Sequence, residues 1–305
     1  MKILARVLLG VGAFLLVAAV MCTFWAPDVI KKTPLDVDTR TDLEGEAAKL
    51  DTATGAFETR PIFAVSLTRI DSEASDDETA IWVNTSCAVF DVGQERECVD
   101  GEDENLITAS IDTFATDRVT AMAVESDELP PDSEPREGLV NKWPFDAEKK
   151  TYPYWDGTAG AAVDAVYDRT EDVKGVETYV YKVVIEDAPI EIAEGVPGVY
   201  NDTKEIYVEP TTGAILQQTD DQTRFLDDGT QVLDLQLGFT EETQQEFADE
   251  ASSKATLITL ATTVVPIVGW VAGPLCLIIG AVLLMRNRPE EPPVSTKKET
   301  VGAGT

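Results

Sequence analysis

The sequence predicts a mostly β protein: an elongated, antiparallel barrel- or sandwich-like exterior domain held between two transmembrane helices. Three observations carry that expectation. Each end of the 305-residue chain holds an uncharged apolar stretch, the part between them is strongly acidic, and several of its segments alternate β-branched or aromatic residues with polar ones.

Residues 1–6 form a basic tail with Lys2 and Arg6, and residues 7–27 carry no charge. A helix needs about twenty apolar residues to cross the hydrocarbon core of a bilayer, so 7–27 is read as a transmembrane helix. Trp25 falls near its far end, where an interface favours tryptophan. A cleaved signal peptide is the competing reading. Met21 stands just before Cys22 where a lipoprotein site would want a small residue, and an uncleaved anchor is favoured. Residues 255–285 are again uncharged and form the second expected span, with Pro266 and Pro274 inside it. Arg286, Arg288, Lys297 and Lys298 follow in a tail at 286–305. The positive-inside rule then puts both termini in the cytoplasm and residues 28–254 outside the plasma membrane. Gly269 and Gly273 make a GxxxG pair, which close helix packing and the ordinary glycine content of spans explain equally well.

The charge distribution agrees. Of 24 Lys and Arg, six lie in the tails, and of 56 Asp and Glu, three do, so the middle carries 18 bases against 53 acids, a net −35. Nucleic acid is excluded as a partner, because phosphate binding needs a basic surface. The chain has no histidine, which removes Ser-His-Asp and Cys-His catalysis and imidazole-bound zinc. Neither a GxGxxG nor a Walker pattern is present, and with so many carboxylates no pair of them stands out as catalytic. No cofactor is expected, and the chain is read as a non-enzyme. DGEDEN at 100–105 begins like a calcium loop but lacks its ligand spacing. Cys87 and Cys98 are the only cysteines between the apolar segments, and in an oxidising compartment they are expected to form a disulfide.

Strands are expected in IFAVSLTRI (62–70), TAIWVNTSCAVF (79–90), GVETYVYKVVI (175–185) and QVLDLQLGF (231–239). KEIYVEPTTGAILQ (204–217) reads as two strands about a Pro-Thr-Thr-Gly turn. KKTPLDVDTRTDLEG (31–45) reads as a polar linker. Thr240, followed by Glu241 and Glu242, is an N-cap signal, and the helix it starts is expected to run on toward the second span.

One stretch stands apart. GLVNKWPFDAEKKTYPYWDG (138–157) gathers Trp143, Phe145, Tyr152, Tyr154 and Trp155 in a chain that is only 7% aromatic. Together with GVETYVYKV, GVPGVY, EPTTGAIL and the two apolar ends, it resembles the actinobacterial PorA family of envelope proteins, which includes the LmcA-type proteins linked to lipomannan and lipoarabinomannan formation. The resemblance implies a β-barrel-like exterior domain with internal apolar cavities that binds phospholipid or phosphoglycolipid. On that reading Trp143, Phe145, Tyr152, Tyr154, Trp155, Tyr179 and Tyr181 are candidates for the cavity wall, although for each taken singly plain core is the favoured reading. The alternative is a non-catalytic scaffold or accessory subunit for a membrane glycosyltransferase or transporter, with an envelope-assembly membrane protein as partner.

Overall fold

The computed structural model describes residues 2–99 and 101–286; the expected tail from 287 onward and the first residue of DGEDEN lie outside them. Helix α1 spans Lys2–Phe24, α2 Ala26–Ile30, α3 Glu241–Thr259 and α4 Val265–Arg286, with one π turn, Leu260–Val264, between the last two. Strand β1 is Asp38–Lys49, β2 Thr59–Asp71, β3 Thr79–Phe90, β4 Leu106–Asp117 and β5 Tyr152–Asp156. After these come β6 Ala161–Val173, β7 Val176–Ala193, β8 Val196–Val208, β9 Ile215–Leu226 and β10 Gln231–Phe239.

Two compact units result. In the first, α1 and α4 pack along their lengths through small residues. A side chain on Gly269 would meet Ala19 Cβ at 2.6 Å, one on Gly273 would meet Leu16 at 2.8 Å, and one on Gly280 would meet Leu9 at 2.9 Å. Close backbone approach is what glycine permits at a helix interface in lipid, so the GxxxG pair does serve helix packing. Both helices are long and apolar enough to be candidate membrane spans.

The second unit, Asp28–Thr259, is one ten-stranded antiparallel sheet. Its order, β4-β3-β2-β1-β10-β9-β8-β7-β6-β5, is a single meander except where β1 pairs with β10. The mostly β, antiparallel expectation holds, and its form is one curled half-barrel rather than the two sheets of a sandwich. The long connection from β4 to β5 spans the gap between the edge strands through isolated bridges: Thr116 with Ala123, Met122 with Leu139, and Leu139 with Tyr154. Pro153, which has no N–H to give a ladder, sits in edge strand β5, where its carbonyl accepts from Leu139 N at 2.8 Å.

The strand at 79–90 and that at 231–239 match β3 and β10, and the Pro-Thr-Thr-Gly turn does separate β8 from β9. The linker reading of 31–45 is corrected: from Asp38 onward the chain is β1, hydrogen-bonded to β2 on one side and β10 on the other. Charged residues cover its exposed positions, which hid the strand from a search for apolar alternation. Thr240 caps α3 as expected, its hydroxyl accepting from Thr243 N at 3.2 Å. On the outer face of the sheet, Ala248 and Ala251 of α3 pack against Val173, Val180, Tyr207 and Leu216. The Cys87–Cys98 disulfide forms, tying the end of β3 to the loop that follows it.

Candidate functional site

Period two decides what β8 places inside the curl. Tyr200, Asp202, Lys204, Ile206 and Val208 are all buried. Ile206 and Val208 continue into an aromatic core, while Tyr200, Asp202 and Lys204 bring polar groups to the same face. Cross-strand neighbours on β9 complete the set: Tyr200 faces Arg224, Asp202 faces Gln222 and Lys204 faces Asp220.

Lys204 is the centre. Its Nζ lies 2.5 Å from Asp156 Oδ2, 2.5 Å from Asp202 Oδ2 and 3.5 Å from Asp220 Oδ2. Tyr200 donates its hydroxyl to Asp202 Oδ2 at 2.8 Å. The Asp156 carboxylate also accepts from Thr158 N and Ala159 N at 3.0 and 2.8 Å, an Asx turn that fixes it at the end of β5. Burial pushes the Asp202 carboxyl up to about 6, with the Lys204 ammonium pulling against that shift. Burial alone would lower Lys204, but Asp220, Asp156 and Asp202 hold it well above the ordinary lysine value. Burial likewise raises the Tyr200 hydroxyl. The cluster is therefore a charged lysine locked among carboxylates.

A cleft of about 780 Å³ opens beside this cluster. One wall comes from β4, with Thr108, Ser110, Asp112 and Thr113; the opposite wall comes from β5, β8 and β9, with Tyr154, Trp155, Asp156, Lys204, Gln222 and Arg224. Arg136, from the connection that spans the gap, pairs with Asp112 and stacks over Phe114 at 4.7 Å and Trp155 at 5.7 Å. Arg224 donates to Gln222 Oε1 at 2.9 and 3.2 Å. The indole Nε1 of Trp155 and the Nε of Arg136 are buried and have no hydrogen-bond partner in the protein. Among the described residues no group of His, Cys, Asp and Glu is arranged to hold a metal ion.

The aromatic candidates divide. Trp143, Tyr152, Tyr154 and Tyr181 pack on one another, with Trp143 centred 5.0 Å from Tyr181 and 5.8 Å from Tyr154. Trp143 and Tyr181 are 0% exposed. Tyr179 is half-buried, edge-on to Tyr167 at 5.8 Å, and Phe145 is half-buried under Lys142 Nζ at 4.2 Å. Only Tyr154 and Trp155 of the seven also line the cleft, whose walls are chiefly polar rather than apolar.

The segment that carries these rings is pinned by the turn between β8 and β9. Trp143 N donates to Gly213 O at 2.9 Å, and Ala147 N donates to Pro210 O at 2.7 Å. Gly213 has φ +72°, and a Cβ there would lie 2.1 Å from Trp143 O, so only glycine fits. Next to the ring, Lys142 donates to Trp143 O and Thr212 O at 3.0 and 3.1 Å, and burial lowers its pKa to about 7.

Comparison with known proteins gives this architecture a family. The family model described as Porin PorA matches residues 4–282, which takes in the whole sheet and most of both candidate spans. The chain belongs to the PorA family. It is 36% identical over 100 residues to a protein named Porin PorA from Corynebacterium amycolatum. That match covers 28% of this chain and 25% of the relative, so the chain spans about a quarter of the relative's length.

The charged cluster itself was not among the residues that sequence reasoning singled out. Its signal lay in the parity of YNDTKEIYV: once Ile206 and Val208 are taken as inward, Asp202 and Lys204 must be inward too. Asp156, Asp220, Arg136 and Arg224 reach the site from other elements and have no such local mark.

Proposed function

We propose that this PorA-family protein is a double-anchored envelope protein, and that its β domain binds the polar head of a membrane phospholipid or phosphoglycolipid in the cleft beside Lys204. The observation that carries the reading is the cleft itself: about 780 Å³ inside the curl of the sheet, lined by fixed hydrogen-bonding side chains with two aromatic rings. That volume lies within the range of about 300–1,000 Å³ typical of small-molecule sites. Two candidate spans in the same chain make a membrane constituent the natural ligand. A polar wall satisfies a head group and not acyl tails, since tails gain from apolar contact alone. The basic residues Lys2, Arg6 and Arg286 beside the spans support cytoplasmic termini and an extracytoplasmic sheet. Head-group binding supports lipoglycan assembly without catalysis, by holding a lipid-linked intermediate outside the membrane.

Native mass spectrometry of the full-length chain, released from nanodiscs made with envelope lipid, tests this. A bound lipid that a second head group displaces is the expected result. A chain that carries no lipid and takes none up refutes it. An accessory-subunit role draws on a different feature, the groove of about 800 Å³ between β1 and α3, whose lining includes Asp38, Asp42, Glu44, Glu242, Glu246 and Glu250. Cross-linking in membranes would reveal a stoichiometric protein partner at that groove.

A further inference from the structure

We infer that the cleft beside Lys204 takes an uncharged hexopyranose ring, the sugar of a glycolipid head, and not a phosphate. The inference deepens the head-group reading and rests on it only for the ligand's origin in the membrane.

Three features lead there. The first is charge. The cleft's own wall carries Asp112, Asp132, Glu134, Asp156 and Glu191 against Arg136, Lys204 and Arg224. The bases are already engaged. Lys204 is held by three carboxylates, Arg136 by Asp112, and Arg224 by the Gln222 amide oxygen. Among the cleft's three bases only Arg224 has no carboxylate salt bridge, so a phosphate would meet a net excess of carboxylate, and like-charge contact of that kind is strongly unfavourable at an interface.

The second feature is a pair of unmatched donors. The Trp155 indole N–H and the Arg136 Nε–H are buried in the cleft wall without an acceptor. Trp155 is 8% exposed and the Arg136 side chain 9%. A neutral hydroxyl or ring oxygen can accept from an N–H of either kind without bringing the charge that the carboxylates reject. The same hydroxyls can donate in turn to carboxylates and to the threonine and serine oxygens of β4. A polyol has that dual character and a phosphate has not.

The third is shape. Trp155 and Tyr154 present aromatic surface in the same wall that holds Asp156, Gln222 and Arg224. Aromatic faces carry negative quadrupole charge and attract the slightly positive C–H groups of a sugar ring. Arg136 is held between Phe114 and Trp155, which fixes the indole before any ligand arrives.

The test is saturation-transfer difference NMR on the full-length chain in phosphatidylcholine nanodiscs. The probes are methyl α-D-glucopyranoside, methyl α-D-mannopyranoside, glycerol 3-phosphate and inorganic phosphate. Transfer to the ring protons of at least one pyranoside, undiminished by excess phosphate, is expected. Trp155→Phe keeps an aromatic face and loses the N–H donor, and should weaken that signal about tenfold, equal to about 1.4 kcal/mol. No pyranoside transfer to the wild-type chain overturns the inference whatever the variant does, and so does glycerol 3-phosphate binding that phosphate competes away. A parallel native mass spectrum separates the two readings. Lipid bound without pyranoside transfer sinks the sugar and leaves the head-group reading standing. Pyranoside transfer with no glycolipid taken up keeps the sugar and refutes its membrane source.

Discussion

Replacing Lys204 by methionine is the most informative perturbation of this fold. Methionine keeps the length and apolar stem of the side chain, so little cavity is made and the change is chiefly one of charge. The lost ammonium lies 2.5, 2.5 and 3.5 Å from three carboxylates. Asp156 and Asp202 are 2% and 3% exposed, so water cannot replace what is removed. Removing one partner of a buried ion pair costs about 3–5 kcal/mol, a large share of the roughly 5–15 kcal/mol that holds a domain together. The variant's deficit should depend on pH. Burial already holds Asp202 at about 6 with the lysine pulling the other way, and without the lysine that carboxyl rises further. A carboxyl whose folded pKa exceeds its unfolded value of about 4 stabilises the fold below that value, and the benefit is lost as pH rises through the folded pKa. The deficit of Lys204→Met should therefore be largest near neutrality and should shrink on acidification toward about pH 4. Urea unfolding of the full chain in nanodiscs, followed by tryptophan emission at both pH values, measures it. A loss below about 1 kcal/mol, the size of an exposed pair, or a loss equal at both pH values would refute the account of a buried, mutually dependent charge cluster.

Other positions give independent checks. Lys142, lowered to about 7 by burial, binds fewer protons folded than unfolded between there and its ordinary 10.5, so stability should climb with pH across that window and the climb should vanish in Lys142→Met. Breaking the Cys87–Cys98 bridge by replacing both with alanine frees a loop of sequence separation 11, and chain-entropy scaling puts the cost at about 2.8 kcal/mol, read as a lower urea midpoint. In the helix pair, Gly269→Leu would drive a side chain into Ala19 and Leu15, whereas Gly10 has nothing within 4 Å. The first substitution should lower the thermal midpoint in nanodiscs and Gly10→Leu should leave it unchanged. Gly213→Ala meets both a positive φ and a carbonyl at 2.1 Å, so near-ultraviolet circular dichroism should report loosened packing around Trp143.

What could be read from sequence follows from where each element's energy comes from. β10 buries one face at Leu233 and Leu235, β3 buries apolar and β-branched runs at both its ends, and both patterns were visible, while the apolar spans announced themselves by length. β4 and β6 leave much of both faces exposed or half-exposed, and their polar residues concealed them. The aromatic cluster was legible as a cluster because its rings lie close in sequence. That most of them close on one another as core, with only Tyr154 and Trp155 reaching the cleft, depends on the Gly213 turn and on β7, far along the chain. The Lys204 cluster assembles from β5, β8 and β9, and no window of sequence contains it.

The seam between β1 and β10 has a consequence for how the molecule is made. Leu43 pairs with Phe239, while every other ladder joins strands that follow one another in the chain. Each local hairpin can form as soon as its second strand is available, but the seam must wait for the last strand and bear the largest loop-closure entropy. Until then β1 is an open edge beside a newly synthesised, membrane-tethered chain. Glu44 and Glu46 lie within that seam and Asp38, Arg40 and Asp42 precede it at alternate positions of the same strand, and charge on a bare strand discourages pairing with a stranger. The polar residues that disguised β1 as a linker thus serve as its guard during synthesis, keeping the vacant edge for its own partner two hundred or so residues downstream.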